Sequence, residues 1–212
     1  MRFLDQIKLK IFIKIYLYLY PRISFLSRKL NQGIHPKHEI IKYYQFFNGN
    51  IDKNSKVLDI GCADGYLANK IADKALKVVA IDIDKNFIRL AKERHNRKNI
   101  KYISGDATIY EFEDEFDYII LSNVLEHIKN RIDFLKRLKP LAKYFLIRVP
   151  MINRSWLPIY IKKLGYDYRL DPYHYIEYTF ESFKNEIESA GMNILSYSIQ
   201  FGEIWARVIT ET

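Results

Sequence analysis

Three carboxylates recur where apolar runs end: Asp59 in Val57-Leu58-Asp59-Ile60, Asp82 late in the run 78–83, and Asp106 just after the run 100–103. The first run leads into Gly61-Cys62-Ala63-Asp64-Gly65. Glycines at such a turn let the backbone approach a ligand closely, and a helix start offers unpaired N–H groups. Asp82 lies 21 residues beyond Gly61, the spacing of the acid that takes ribose hydroxyls in nucleotide-binding sheets. Three acidic groups at successive strand ends disfavour a pyrophosphate. They favour a neutral or cationic ligand carrying ribose and an amine.

Five histidines offer proton-transfer chemistry near neutral pH. His127 is expected to open the helix after the fourth strand, at the ligand edge. His174 sits in Asp171-Pro172-Tyr173-His174-Tyr175. Each has a structural alternative, a capping role for His127 and a loop bond to Asp171 for His174. His35 and His38 read as exposed polar residues, and His95 as solvated. Arg148, Asn153 and Trp156 follow the fifth strand, where an acceptor would bind. With Tyr166, Tyr168 and Tyr173 they suit a polar, ring-bearing acceptor such as a sugar, or else they pack the loop.

These residues need a frame. Residues 56–60, 78–83, 100–103, 116–121 and 144–149 are short apolar runs of buried parallel strands. Residues 64–74, 85–95, 128–138 and 180–190 have helical spacing, with Thr179 as a helix start. The alternation predicts a doubly wound α/β sheet of Rossmann type, with seven mostly parallel strands. The runs 193–200 and 203–210, joined by Phe201-Gly202, predict a C-terminal antiparallel hairpin. The stretch 151–176 reads as one long loop, a length usually tied to function.

The chain has 212 residues, 49% hydrophobic and 28% charged, which excludes a disordered or low-complexity protein. Its single cysteine, Cys62, rules out an intrachain disulfide and a cysteine-cluster metal site, so a cytoplasmic setting is expected. The net charge of +9 would prompt a nucleic-acid reading. Residues 1–56 hold 11 Lys and Arg against 3 Asp and Glu, however, leaving +1 on the rest. The surplus is N-terminal, and nucleic acid is not the expected partner. Residues 1–30 mix Phe, Ile and Tyr with lysines that break every window long enough to span a bilayer. Gln6, Lys10 and Lys14 form a polar stripe, and Pro21 is expected to end the helix. This segment reads either as an interfacial helix on anionic lipid at the inner membrane face or as a helix packed on its own domain or a dimer partner.

The segment Asp59-Ile60-Gly61-Cys62-Ala63-Asp64-Gly65, with Asp82, Asp106 and Ser122-Asn123-Val124-Leu125-Glu126-His127-Ile128, resembles the class I S-adenosylmethionine-dependent methyltransferases in order and spacing. The likeness covers roughly residues 35–210, and Ala63 stands where the family usually has a second glycine. It implies a methyltransferase domain over 35–212, a helical extension over 1–34, and S-adenosylmethionine as cofactor. By the same resemblance Asp59, Gly61 and Gly65 belong to the cofactor turn, with the glycines along the methionine part. Asp82 takes the ribose, Asp106 the adenine amine, and Ser122 and Asn123 the edge towards the acceptor. A dehydrogenase-type domain would need Gly-x-Gly-x-x-Gly, which residues 61–65 do not supply. Glu126-His127 is also similar to the metal-binding segment of ubiquinone-biosynthesis O-methyltransferases. Asn123 replaces the carboxylate found there three positions earlier, so no metal is expected. The expected activity is O-methylation of a small-molecule, glycan or lipid-linked acceptor. The alternatives are an RNA or protein methyltransferase and a non-catalytic cofactor-binding regulator.

Overall fold

The computed structural model describes residues 2–31, 33–169 and 171–210. Seven strands form one sheet: β1 (Lys56–Ile60), β2 (Lys77–Asp82), β3 (Ile100–Ser104), β4 (Phe116–Ser122), β5 (Ala142–Pro150), β6 (Met192–Gln200) and β7 (Glu203–Thr210). Their order is β3-β2-β1-β4-β5-β7-β6. β1 to β5 pair in parallel, and β7 joins β5 antiparallel with β6 outside it. The doubly wound, Rossmann-type sheet with a C-terminal antiparallel hairpin expected from the alternating pattern is therefore present.

The central strands are apolar throughout because both faces of the sheet are covered. On one face α6 (Arg131–Leu138) and α8 (Phe180–Ser189) bury Leu135, Leu138, Phe183 and Ile187. On the other, α3 (Tyr44–Asn50), α4 (Tyr66–Ile71) and α5 (Lys85–Arg94) bury Phe47, Ile71 and Ile88. Thr179 caps α8 as predicted, in a reciprocal box with Ser182. The chain runs from β1 outwards through β2 to β3, then returns to β4 on the opposite side of β1. The crevice where the order reverses lies at the carboxyl ends of β1 and β4, the usual ligand position in such sheets.

Three expectations change. Pro21 does not end the first helix: α1 runs Arg2–Leu30. Proline removes one backbone bond, but Pro21 is exposed and each half of α1 is anchored. Ile13 is buried upstream, and Ser24 Oγ bonds His35 Nε2 at 2.8 Å downstream. The stretch 151–176 is not one loop, since it contains a 3-10 turn (Ile152–Arg154) and α7 (Trp156–Lys163), which buries Pro158 and Ile161. His127 does not open a helix. It closes a 3-10 turn (Leu125–His127), held because Tyr175 N–H donates to the Glu126 carbonyl at 2.7 Å, and α6 starts only at Arg131.

Candidate active site

β1 delivers Asp59 to the crevice in the buried register of the strand. Gly61 and Cys62 N–H both donate to the Ile81 carbonyl of β2, at 2.8 and 3.1 Å, which hooks the turn onto the neighbouring strand. Ala63 (φ 46°) then donates its N–H to Asp82 Oδ2 at 2.8 Å, and Asp84 N–H donates to Asp82 Oδ1 at 2.9 Å. Asp82 thus holds the turn in shape, and its remaining lone pairs are open to further donors. Asp106 Oδ1 accepts from Thr108 N–H and Oγ1, at 2.8 and 2.7 Å, and so shapes the loop after β3.

Gly65 has φ 77°, and a Cβ there would lie 2.7 Å from Tyr102 Oη and 2.9 Å from Ala91 Cβ. The glycine is demanded by packing on β3 and α5 as well as by the left-handed backbone. Gly65→Ala is expected to destabilise the fold by about 2–4 kcal/mol, strain plus overpacking, read from denaturant unfolding.

A cavity of about 220 Å³ opens at the switch point. Of the residues singled out in the sequence, Asp59, Gly61, Ser122, Asn123 and Arg148 line it, while Gly65, Asp82 and Asp106 stand outside it. Asp59 is buried, and its Oδ2 has no hydrogen-bond partner. Burial, helped by the nearby Asp82 charge, pushes its carboxyl up to about 8. Arg28 from α1, and Lys37, His38 and Tyr43 from around α2 (Lys37–Ile41), also line it, and of these only His38 drew notice in the sequence, as an exposed polar residue. Nothing in their spacing before β1 distinguished them from a surface segment. His35 and His38 are half-buried, contrary to expectation. His38 stacks on Tyr66 at 4.4 Å between ring centres, takes a 2.7 Å bond with Tyr43 Oη, and is held at about 4 by burial. His95 is also half-buried, its carbonyl taking the Tyr102 hydroxyl.

Asn123 (φ 58°) joins two parts of the site. Its Oδ1 accepts from Arg148 Nε at 2.6 Å, and its Nδ2 donates to Glu126 Oε1 at 2.8 Å. Arg148 is buried beside Glu203 (3.4 Å) with its guanidinium 3.9 Å above the Tyr43 ring, and its Nη1 has no hydrogen-bond partner. Glu126 is buried with Oε2 unpartnered, and burial pushes its carboxyl up to about 7. Beside it the rings of His127 and His174 meet edge to face at 4.7 Å. Burial, and then the proximity of His174, lower His127 below its ordinary value. Glu177, ion-paired with Arg154, faces His174 Nδ1 at 3.5 Å. His127 lines a second cavity of about 440 Å³ rather than the first. Glu126, His127 and His174 bring one ligand-type atom each within 4.8 Å of one another, a grouping with room for a cation.

The other proposed acceptor residues lie elsewhere. Trp156 is 71% exposed because α7 turns Pro158 and Ile161 inwards and leaves it on the opposite side. Tyr173 is 79% exposed, its N–H held by Asp171 Oδ1 in a surface turn, and Asn153 is exposed.

A buried, unpartnered carboxylate above a glycine turn, with acids ending the next two strands, fits a cationic nucleoside better than a phosphate. Residues 33–197 match the family described as Methyltransferase domain. The chain belongs to the class I S-adenosylmethionine-dependent methyltransferases. It is 36% identical over 86 residues to a ribosomal RNA small subunit methyltransferase A of Mesomycoplasma hyopneumoniae, covering 40% of this chain and 33% of that one. It is 30% identical over 139 residues to a ubiquinone biosynthesis O-methyltransferase of Pelagibacter ubique, covering 63% and 58%. The matches thus span between a third and three fifths of these relatives. A crystal structure of magnesium protoporphyrin IX methyltransferase from Synechocystis with bound SAH shares the fold. Its TM-score is 0.62 and its identity 17%, over 82% of this chain and 81% of that one.

Proposed function

We propose that this chain transfers a methyl group from S-adenosylmethionine to a hydroxyl of a small-molecule or glycan acceptor, free or lipid-linked. The catalytic domain is 35–212, with residues 1–34 as an appended extension. The observation that carries the reading is the orphaned Asp59 carboxylate in the switch-point cavity, which a cationic cofactor would partner. Asp82 would take the ribose hydroxyls, Asp106 the adenine amine, and the turn from Gly61 to Gly65 the methionine part. The backbone at Ser122 and Asn123 borders the acceptor. When bound, the cofactor supplies an electrophilic methyl group for in-line displacement.

The chain's own task is to align an acceptor oxygen and remove its proton. Arg148 carries an unused donor at the cavity wall, suited to a polar acceptor group. His127 and His174 form the proton-accepting pair. Burial keeps His127 neutral near pH 7, and Glu177 lies 3.5 Å from His174 Nδ1 on the far side of the pair. A histidine base needs no metal. Turnover is therefore expected to survive dialysis against EDTA; loss restored by magnesium or manganese would instead give Glu126, His127 and His174 to a cation.

Incubating the protein with labelled cofactor and cell extract, then identifying the methylated product, tests the acceptor class. A labelled polymer in place of a small product would favour the RNA or protein reading, which the ribosomal RNA methyltransferase likeness motivates. Against it, residues 122–125 read Ser-Asn-Val-Leu, without the Asn/Asp-Pro-Pro-Tyr/Phe of amino-group methylation. Among the described residues no helix is long and apolar enough to cross a membrane. The lipid-linked form of the acceptor, at the inner membrane face, rests on α1.

A further inference from the structure

α1 is about 44 Å long at 1.5 Å per residue. Its less exposed side chains are Leu9, Ile13, Tyr16, Leu17, Ser24 and Ser27, three or four residues apart within 9–17 and again within 24–27. They form the one stripe turned to the body, and Ile13 alone is fully buried. The opposite side leaves Leu4, Ile11, Ile15, Tyr18 and Leu26 exposed, a face that is apolar where a helix packed on its own domain would be polar. Lys8, Lys14, Arg22 and Lys29 stand among these residues, and residues 1–30 carry seven basic groups against Asp5 alone. Of the polar stripe read in the sequence, Lys10 reaches back over the Tyr166 ring at 5.9 Å, while Lys14 stays exposed.

That contact sets α1 beside the segment following α7. α7 adds exposed Trp156 and Tyr160, whose rings meet at 5.9 Å, together with Lys162 and Lys163.

We propose that the outer face of α1, extended by Trp156 and Tyr160 of α7, is a docking surface for an anionic phospholipid bilayer. Exposed apolar side chains enter the interface, lysines meet the headgroups, and amphipathic aromatic rings sit between them. The interspersed positive charge selects this occupant over a second copy of the chain, whose own α1 would bring the same positive charge to the contact. Arg28 at the end of α1 lines the switch-point cavity. Docking therefore holds the cavity about one helix diameter, 10–12 Å, from the lipid surface, and this clause alone rests on the acceptor reading above.

The test uses the full chain without cofactor, so it stands or falls separately from methyl transfer. Sedimentation with vesicles of phosphatidylcholine plus phosphatidylglycerol is expected to pellet the protein, and added salt to weaken the binding. Pure phosphatidylcholine vesicles should bind far less. Neutralising Lys8, Lys14 and Lys29 to Gln together is expected to lower affinity about a hundredfold, each lysine near an anionic surface contributing about 1 kcal/mol. An unchanged melting temperature confirms that this triple variant is folded. Trp205 is buried, so a blue shift of emission on vesicle addition reports Trp156, and Trp156→Phe should abolish it. Failure to pellet with anionic vesicles overturns the proposal. So does triple-variant affinity equal to the parent's, a dimer that buries α1, or an RNA oligonucleotide displacing the vesicles. An unshifted emission removes α7 from the surface.

Discussion

At pH 9 the Asp59→Asn protein, free of cofactor, is expected to melt about 10–20 °C above the parent, the gap narrowing as the pH falls and closing only below about pH 4. The physical origin is the burial of Asp59, which lifts its carboxyl from the ordinary 3.8 to about 8. Between those values the folded chain keeps a proton that the unfolded chain releases, so stability falls as pH rises through this window and is lowest above it. That difference corresponds to a penalty on the order of 5 kcal/mol for holding the bare carboxylate. In a chain of this size ~1 kcal/mol moves the melting temperature by about 2–4 °C, and an amide at position 59 relieves the penalty. The same substitution should weaken S-adenosylmethionine binding about ten- to hundredfold, as for loss of a charge-assisted hydrogen bond, read by calorimetry. Parent affinity should rise with pH up to about 8 as the carboxylate forms. A variant that is no more stable at pH 9, or binds the cofactor undiminished, would remove Asp59 from the site.

Exchanging the histidine pair should have the larger kinetic effect. His127→Ala and His174→Ala are each expected to lower kcat by about a hundredfold or more, the usual contribution of a positioned base, while cofactor affinity stays unchanged. Neither ring lines the switch-point cavity, so the two readouts should separate. With the acceptor identified, the parent kcat should fall only on the acid side, with its limb below the ordinary histidine value. That sign follows from His127, which burial keeps neutral to a lower pH and which must be unprotonated to act. Full turnover in both variants would reject the histidine base.

Neutral-to-alkaline pH also ionises Glu126, likewise pushed up by burial to about 7. Its buried Oε2 lacks a partner while Oε1 is held by Asn123. The site thus stores two carboxylates in surroundings that favour their protonated forms, the kind of perturbation that marks functional clefts.

Much of this was written locally. The strand runs, the Gly61-to-Gly65 turn and the acids at 59, 82 and 106 are short-range signals, because a buried parallel strand must be apolar along its length and a ligand turn must admit positive φ. They determined the sheet and its hairpin. Positions set by helix faces and long-range contacts were not legible in the same way. Trp156 and Tyr173 looked like acceptor residues by type, but the rotation of α7 and an Asp171 turn put them in solvent. His35 and His38 read as exposed polar residues, but α2 and its surroundings line the cavity at the carboxyl ends of the strands. The sequence alone determined which chemistry the sheet edge presents, since strand ends and turns are fixed by neighbours a few residues apart. Only the tertiary structure decided that His127 meets His174, that Asn123 ties Arg148 to Glu126, and that α1 turns its apolar side outwards. Each of these depends on segments tens of residues apart, whose mutual rotation is set by packing and leaves no periodic trace in the chain.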